Sequence, residues 1–337
     1  FNMKEKINRK ADNKEMAHKS EHKSHALSTI DNIRYEHNAL HEVAVTDIDI
    51  NSYFLDQSIS APIMIGAMTG GCDRGDIINR HLAEAAEACG IPMALGSQRA
   101  ALEQNQPQTV RQYAPSALLL GNIGATQLQQ LGLAFAQKAV DAVAANALVI
   151  HINPLQELVQ QGGDRDWKQV LESIYHCSDK LSVPVIVKEV GAGIGPSCAE
   201  RLASGGIKWI EVAGRGGTNW ASIEMARNQI TQEKKIAEPF IDWGMDTVEL
   251  LPAVKQVCPS LNLIGSGGVR NGLDVARCIR LGANVSALAQ PFLAPALEST
   301  EAVIEKITVL KKQLRWAMFL TGSSNLDSLR KAPLQTN

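Results

Sequence analysis

From residue 61 onward the chain repeats one unit: a short, nearly continuous apolar run followed by a helix-like stretch. The runs occupy 62–66, 91–96, 117–121, 147–151, 183–188, 207–212, 262–266 and 285–289. Short apolar runs without polar alternation, interleaved with helical patterns, predict a parallel sheet covered by helices. The intervening segments agree. Residues 81–90 form an Ala- and Glu-rich helix closed by Gly90, and 272–282 repeat the pattern up to Gly282. Eight strand–helix units predict a (β/α)₈ TIM barrel over 61–337, within the size range of a single such unit. An open doubly wound sheet is the alternative, because period alone does not show closure.

Two segments break the rhythm. Residues 1–60 are polar and hold His18, His22, His25, His37 and His41. Their spacing fits no standard metal-ligand pattern, so they read as a solvated N-terminal extension of helix and loops. The stretch 214–260, after the sixth run, exceeds what a strand–helix connection needs and is expected to be an insertion over the active site.

Composition narrows the function classes. The 33 Lys and Arg against 35 Asp and Glu give a net charge of −2, which argues against a general nucleic-acid surface. No apolar run reaches the roughly 18 residues of a membrane span. With no apolar signal core near the start, the expected compartment is the cytoplasm. The six cysteines form no C-x-x-C pair, so neither a disulfide framework nor a zinc site is expected.

In a barrel, chemistry gathers at the C-terminal strand ends. Gly267-Gly268 after strand seven and Ala289-Gln290 after strand eight fit a phosphate, bound by backbone N–H groups and a helix N-terminus, with Arg270 as a further donor. Lys188 ends an otherwise apolar strand and needs an anionic partner. It could form a Schiff base, bind phosphate or face an anionic cofactor. Thr218, Asn122 and Ser97 add neutral donors, and such a set around one lysine suits a flavin-like ring. After strand four come His151, Asn153, Gln156 and Glu157. Glu157 suits Mg²⁺, which takes one or two carboxylates plus substrate oxygens. Gln156 is no acid or base and reads as an orienting group. Arg9, Lys10 and Arg99 are candidate diphosphate ligands.

Taken together, these motifs resemble the type 2, FMN-dependent isopentenyl-diphosphate delta-isomerase family. The carrying residues are Arg9-Lys10, Ala67-Met68-Thr69-Gly70-Gly71, Gly96-Ser97-Gln98-Arg99 and Asn122-Ile123-Gly124-Ala125. The most specific are His151-Ile152-Asn153-Pro154-Leu155-Gln156-Glu157 and Val187-Lys188-Glu189-Val190-Gly191. Gly216-Gly217-Thr218-Asn219, Trp243-Gly244 and Gly267-Gly268-Val269-Arg270 follow in order. The resemblance implies an isoprenoid-biosynthesis isomerase that interconverts isopentenyl and dimethylallyl diphosphate over reduced FMN, with Mg²⁺ and with NADPH as reductant. It places FMN against Ala67, Met68, Thr69, Ser97, Asn122, Lys188, Thr218, Gly267, Gly268, Arg270, Ala289 and Gln290. It places substrate against Arg9, Lys10, Arg99, His151 and Gln156, gives Gln156 the catalytic part, and puts Mg²⁺ on Glu157. A homo-oligomer, tetramer or octamer, is implied as well. Two positions depart from the family pattern. Asn13 stands where a histidine usually follows the opening lysine, and Ala213 stands where serine is common.

Two other functions compete. A 2-hydroxy acid oxidase on the same barrel needs a base and a carboxylate-clamping arginine after the late strands, and no histidine lies beyond His176. A non-catalytic phosphate-binding barrel would not need Lys188, Gln156 and Glu157 together.

Overall fold

A computed structural model describes residues 29–68, 75–228 and 230–335. Among the described residues ten strands run in chain order: β1 Ser52–Phe54, β2 Gln57–Ile59, β3 Ile63–Ile65, β4 Met93–Ala94, β5 Leu119–Gly124, β6 Ala147–His151, β7 Val185–Lys188, β8 Trp209–Glu211, β9 Asn262–Gly265 and β10 Val285–Leu288. Strands β3 to β10 form a closed parallel barrel of eight, sealed where β10 pairs with β3. Each of the eight apolar runs supplies one strand, and closure excludes the open sheet.

The runs are apolar throughout because both faces of every strand are buried. Met64, Leu120, Val149 and Ile186 belong to a cluster inside the barrel. Their neighbours Ile63, Ile65, Leu119, Leu148, Ile150, Val185 and Val187 join the cluster shared with the helices. The period of two survives, but it separates two apolar environments rather than core from water.

The antiparallel β1–β2 hairpin was not visible in the sequence pattern. Its two turn residues, Leu55 and Asp56, have φ of 51° and 60°, the left-handed pair that a tight hairpin demands, without the usual Gly or Asn. The hairpin delivers Phe54, fully buried, onto Trp209 at the start of β8, with ring centroids 4.8 Å apart and edge to face. This plugs the N-terminal end of the barrel, leaving the opposite end for chemistry. Phe54→Ala removes about 3–5 kcal/mol of packing.

The segment 214–260 is partly barrel and partly addition. Thr247–Val257 is the helix of the barrel layer that follows β8 and packs on Pro196–Ser204. The added part holds the short helices Trp220–Arg227 and Thr231–Ala237. Among the described residues, no helix is long and apolar enough to cross a membrane. The extension residues 29–60 are short 3₁₀ turns and the hairpin rather than a long helix. Arg9, Lys10, Asn13, His18, His22, His25 and Thr69 lie outside the described residues.

Candidate active site

Two cavities open at the C-terminal end of the barrel. Counting the space open to solvent at their mouths, the larger spans about 1140 Å³ and the smaller about 1000 Å³. They meet along a shared wall made by Ala67, Met68, Lys188, Val190 and Trp220.

The larger cavity is built chiefly from backbone. Gly267 and Gly268 follow β9 with φ of 96° and 81°. A Cβ on Gly268 would stand 2.8 Å from the backbone of Gly216, and one on Gly217 would stand 2.9 Å from the Gly268 nitrogen. Glycine is therefore required for the loops after β8 and β9 to touch. Thr247 clamps them from behind, its Oγ1 donating to the Ser266 carbonyl at 2.7 Å and facing the Gly267 carbonyl at 2.9 Å. Ala213, at the end of β8, holds φ at 41°, a strained value for alanine that fits a site wall. Ala289, Gln290 and Pro291 complete the rim at the start of helix Gln290–Glu298.

Arg270 lines this cavity, yet its guanidinium is already engaged. It meets Asp31 at 2.5 and 2.9 Å, and its Nε meets the buried Asp274 at 2.8 Å. Arg277 completes the cluster, reaching Asp31 at 3.1 Å and Asp274 at 2.8 Å. The hydrogen bond from Arg270 holds the Asp31 carboxyl below its ordinary range. A phosphate in this cavity would thus meet glycine amides first, with the Arg270 fork turned to the extension.

The smaller cavity is built from side chains. His151 ends β6 with Nδ1 2.8 Å from Asn122 Oδ1. Asn122 is buried on β5 and donates to the Leu95 carbonyl at 2.9 Å. Pro154 starts the helix Pro154–Val159, which presents Gln156 and Glu157. Asn153 Nδ2 ties both together, 3.1 Å from Gln156 Oε1 and 3.0 Å from Glu157 Oε1. The Asp164 amide donates to Glu157 Oε2 at 2.7 Å. Burial pushes the Glu157 carboxyl up, against the pull of those two donors. Arg99 stands beside them, held by Glu103 at 2.8 Å and 3.7 Å from Asp164. No cluster of three or more His, Cys, Asp or Glu able to hold a metal occurs among the described residues. Glu157 could still bind an ion that keeps most of its coordination for water and substrate oxygens.

On the shared wall, Lys188 Nζ donates to the Glu189 carbonyl at 2.6 Å and lies 3.7 Å from Glu211. Glu189 is buried, and its Oε2 accepts the backbone N–H groups of Val190, Gly191, Ala192 and Gly193 at 2.6 to 3.0 Å. Burial raises this carboxyl while the four donors pull it down. The loop carrying Val190 and Gly191 into the wall is thereby wrapped around one anion.

Every described residue singled out from the sequence as cofactor, substrate or metal contact lines one of the two cavities. Ser97, Arg99, Asn122, His151, Gln156 and Glu157 line the smaller. Thr218, Gly267, Gly268, Arg270, Ala289 and Gln290 line the larger. Sequence reasoning missed Trp220, Glu211, Asp31 and Asp164. Trp220 adjoins the Gly216-Gly217-Thr218-Asn219 run and could have been noticed there. Asp31 and Asp164 act through distant partners and carry no local signal.

A protein named isopentenyl-diphosphate delta-isomerase from Stutzerimonas stutzeri (strain A1501) is 47% identical over 306 residues, covering 89% of this chain and 88% of its own length. One of the same name from Rickettsia bellii (strain RML369-C) is 40% identical over 335 residues, covering 98% of each chain. The chain belongs to the isopentenyl-diphosphate delta-isomerase family. The family model for FMN-dependent dehydrogenases also matches residues 124–336, so the chain belongs to that family as well. Among solved structures, a mandelate oxidase superposes with a TM-score of 0.68 at 16% identity, covering 99% of this chain and 98% of its own. A lactate oxidase from Pediococcus acidilactici gives 0.65 at 18%, covering 92% and 84%. At such identities these neighbours speak for the barrel alone.

Proposed function

We propose that this chain is an isomerase acting on isopentenyl diphosphate. It moves the C=C bond to give dimethylallyl diphosphate with no net redox change, using reduced FMN and Mg²⁺. The observation that carries the reading is the pair of cavities meeting at Lys188. One has a glycine backbone lining suited to a nucleotide phosphate and ring. The other has the cation Arg99 and the carboxylate Glu157 suited to a metal-bound diphosphate.

The residues fit FMN. The Gly217–Gly268 contact leaves a cradle that a Cβ would fill, and the N-terminus of helix Gln290–Glu298 adds partial positive charge for a phosphate. Lys188 offers a cation to the electron-rich end of the ring. Glu157 fits Mg²⁺ as one carboxylate of a largely solvent- and substrate-filled shell.

When bound, reduced FMN supplies an electron-rich ring and an exchangeable proton beside the alkene. The protein's part is to hold, orient and dry. Arg99, His151 and Glu157 anchor the diphosphate end, and that binding energy fixes the position of the reacting carbons. Arg9 and Lys10 add to this anchor in the family pattern. Gln156 orients the transferring proton, its own carbonyl oxygen being set by Asn153. Protonation of the unactivated alkene would make a tertiary carbocation, and loss of a proton from the adjacent carbon would close the new double bond; negative charge and an aromatic face stabilise the cation in a water-poor pocket. Trp220 provides such a face at the junction. Lys188 would favour the anionic form of the reduced ring.

NADPH is the proposed reductant and the cytoplasm the proposed compartment, both by family resemblance. A homo-oligomer, tetramer or octamer, is proposed on the same ground and is supported by the exposed Ile236, Phe240 and Trp243 of the added segment. Light scattering of the purified protein decides among these states.

The oxidase reading shares with those structural neighbours the barrel and nothing more. The late strand ends argue against it. Arg215, after β8, is committed to Asp246 at 2.7 Å and to the Asp242 carbonyl at 2.7 Å, and no histidine stands there. The two readings separate in one anaerobic experiment. The isomerase reading expects FMN to bind, to remain oxidised with 2-hydroxy acids, and to support isomerisation once reduced. Direct bleaching of the flavin by lactate or mandelate would overturn it.

A further inference from the structure

Behind Lys188 lies a buried carboxylate with no assigned part. Glu211 on β8 stands across the ladder from Lys188 on β7 and is 2% exposed. Its Oε1 accepts the Ser266 hydroxyl at 2.8 Å and lies 3.7 Å from Lys188 Nζ. Its Oε2 is buried with no hydrogen-bond partner among the described residues. Lys188, Glu211 and Ser266 all line the larger cavity.

A buried carboxylate oxygen without a donor is destabilising, and an apolar residue of similar volume would usually cost less. Joining β8 to β9 through Ser266 does not call for a charge, since a neutral side chain could accept the same hydroxyl. What the charge does accomplish is partial neutralisation of Lys188. The separation of 3.7 Å is beyond hydrogen-bond range, so the ammonium is balanced without being captured. The lysine side chain is also the more exposed of the two, 11% against 2%. The pair therefore offers the cavity more of its positive end than of its negative end.

We infer that Glu211 is a positioning residue for Lys188 and sets how much of its positive charge reaches the bound cofactor, and hence the reduction potential of the FMN. This rests on the cofactor reading above and extends it to a residue that need not touch the ring.

The test is the midpoint potential of the FMN-loaded protein, measured by anaerobic titration against a reference dye. Glu211→Gln keeps the shape and can still accept from Ser266 but removes the charge. The reduced flavin should then be favoured about tenfold, a rise of about 30 mV for a two-electron couple. Glu211→Asp keeps the charge and should stay near wild type. Ser266→Ala strips the carboxylate of its hydroxyl donor, leaves more of its charge acting on Lys188, and should lower the potential. An unchanged potential in Glu211→Gln, or an equal shift in Glu211→Asp and Glu211→Gln, would overturn the inference. Should Glu211→Gln fail to fold, a raised or unmoved potential in Ser266→Ala overturns it instead. A wild-type protein that takes up no FMN fails at the earlier step and removes the cofactor reading along with this one.

Discussion

The two cavities solve different recognition problems with different materials. The larger is shaped by main chain, with Gly214, Gly216, Gly217, Gly267 and Gly268 bringing two loops into contact. The smaller is shaped by side chains that hold one another, as Asn122 holds His151 and Asn153 holds Gln156 and Glu157. A backbone cradle binds whatever presents a phosphate and a flat ring, and it tolerates little change in its own residues. A side-chain cluster can be retuned one residue at a time. Under the proposed function the first cavity would hold the cofactor's phosphate, and the second the reacting diphosphate beside Ser97 and Asn122, the two expected ring contacts that fall on its wall.

Changing the proton-orienting group should give the largest effect. Gln156→Glu should leave FMN content intact and lower kcat by about 10²–10⁴-fold, the span a positioned proton-transfer group usually covers. Wild-type turnover would remove Gln156 from the chemistry and weaken the assignment of the smaller cavity. Gly268→Ala attacks the other side. It forces alanine into φ of 81° and drives its Cβ to 2.8 Å from Gly216, a strain of about 1–3 kcal/mol. FMN retention should drop roughly tenfold or more while diphosphate binding persists. Equal loss of both would merge the two cavities into one site.

Glu157→Gln sharpens the contrast further. The Mg²⁺ needed for half-maximal rate should rise by on the order of tenfold. A metal ligand must be ionised, and burial raises this carboxyl. In the wild type the Mg²⁺ requirement should therefore climb as pH falls, beginning above the ordinary Glu range of about 4.3. Glu157→Gln should lose that pH dependence. Identical profiles would place the metal elsewhere.

The smallest effect concerns Asp31. Its carboxyl is held below the usual range by Arg270. The stabilisation is thus present above the unfolded-state value of about 3.9 and lost as pH falls through the lower folded value. Because Asp31 is largely exposed, Asp31→Asn should cost under about 1 kcal/mol at neutral pH. Differential scanning calorimetry should show that difference vanish in strong acid. A difference that grows as pH falls would contradict the clamp.

Much of this was legible in the sequence, for a physical reason. A strand buried on both faces is apolar end to end, so Lys188 after Val185-Ile186-Val187 or Gly267-Gly268 after Ile264-Gly265 marks where the sheet meets a site. What stayed hidden depends on long-range partners. Asp31 meets Arg270 across 239 positions, and neither residue signals the other. Glu211 reads as the charged end of a strand until the ladder sets it against Lys188. The β1–β2 hairpin was invisible because Leu55-Asp56 lacks the glycine or asparagine that marks such turns.

The most direct measurement is an anaerobic proton NMR time course of isopentenyl diphosphate with FMN-loaded protein and Mg²⁺, run once with the flavin oxidised and once reduced. Dimethylallyl diphosphate should form only with the reduced flavin, with no stoichiometric consumption of reductant. No conversion in either state, or equal conversion without flavin, would contradict a barrel that pairs an electron-rich ring with an anchored alkene.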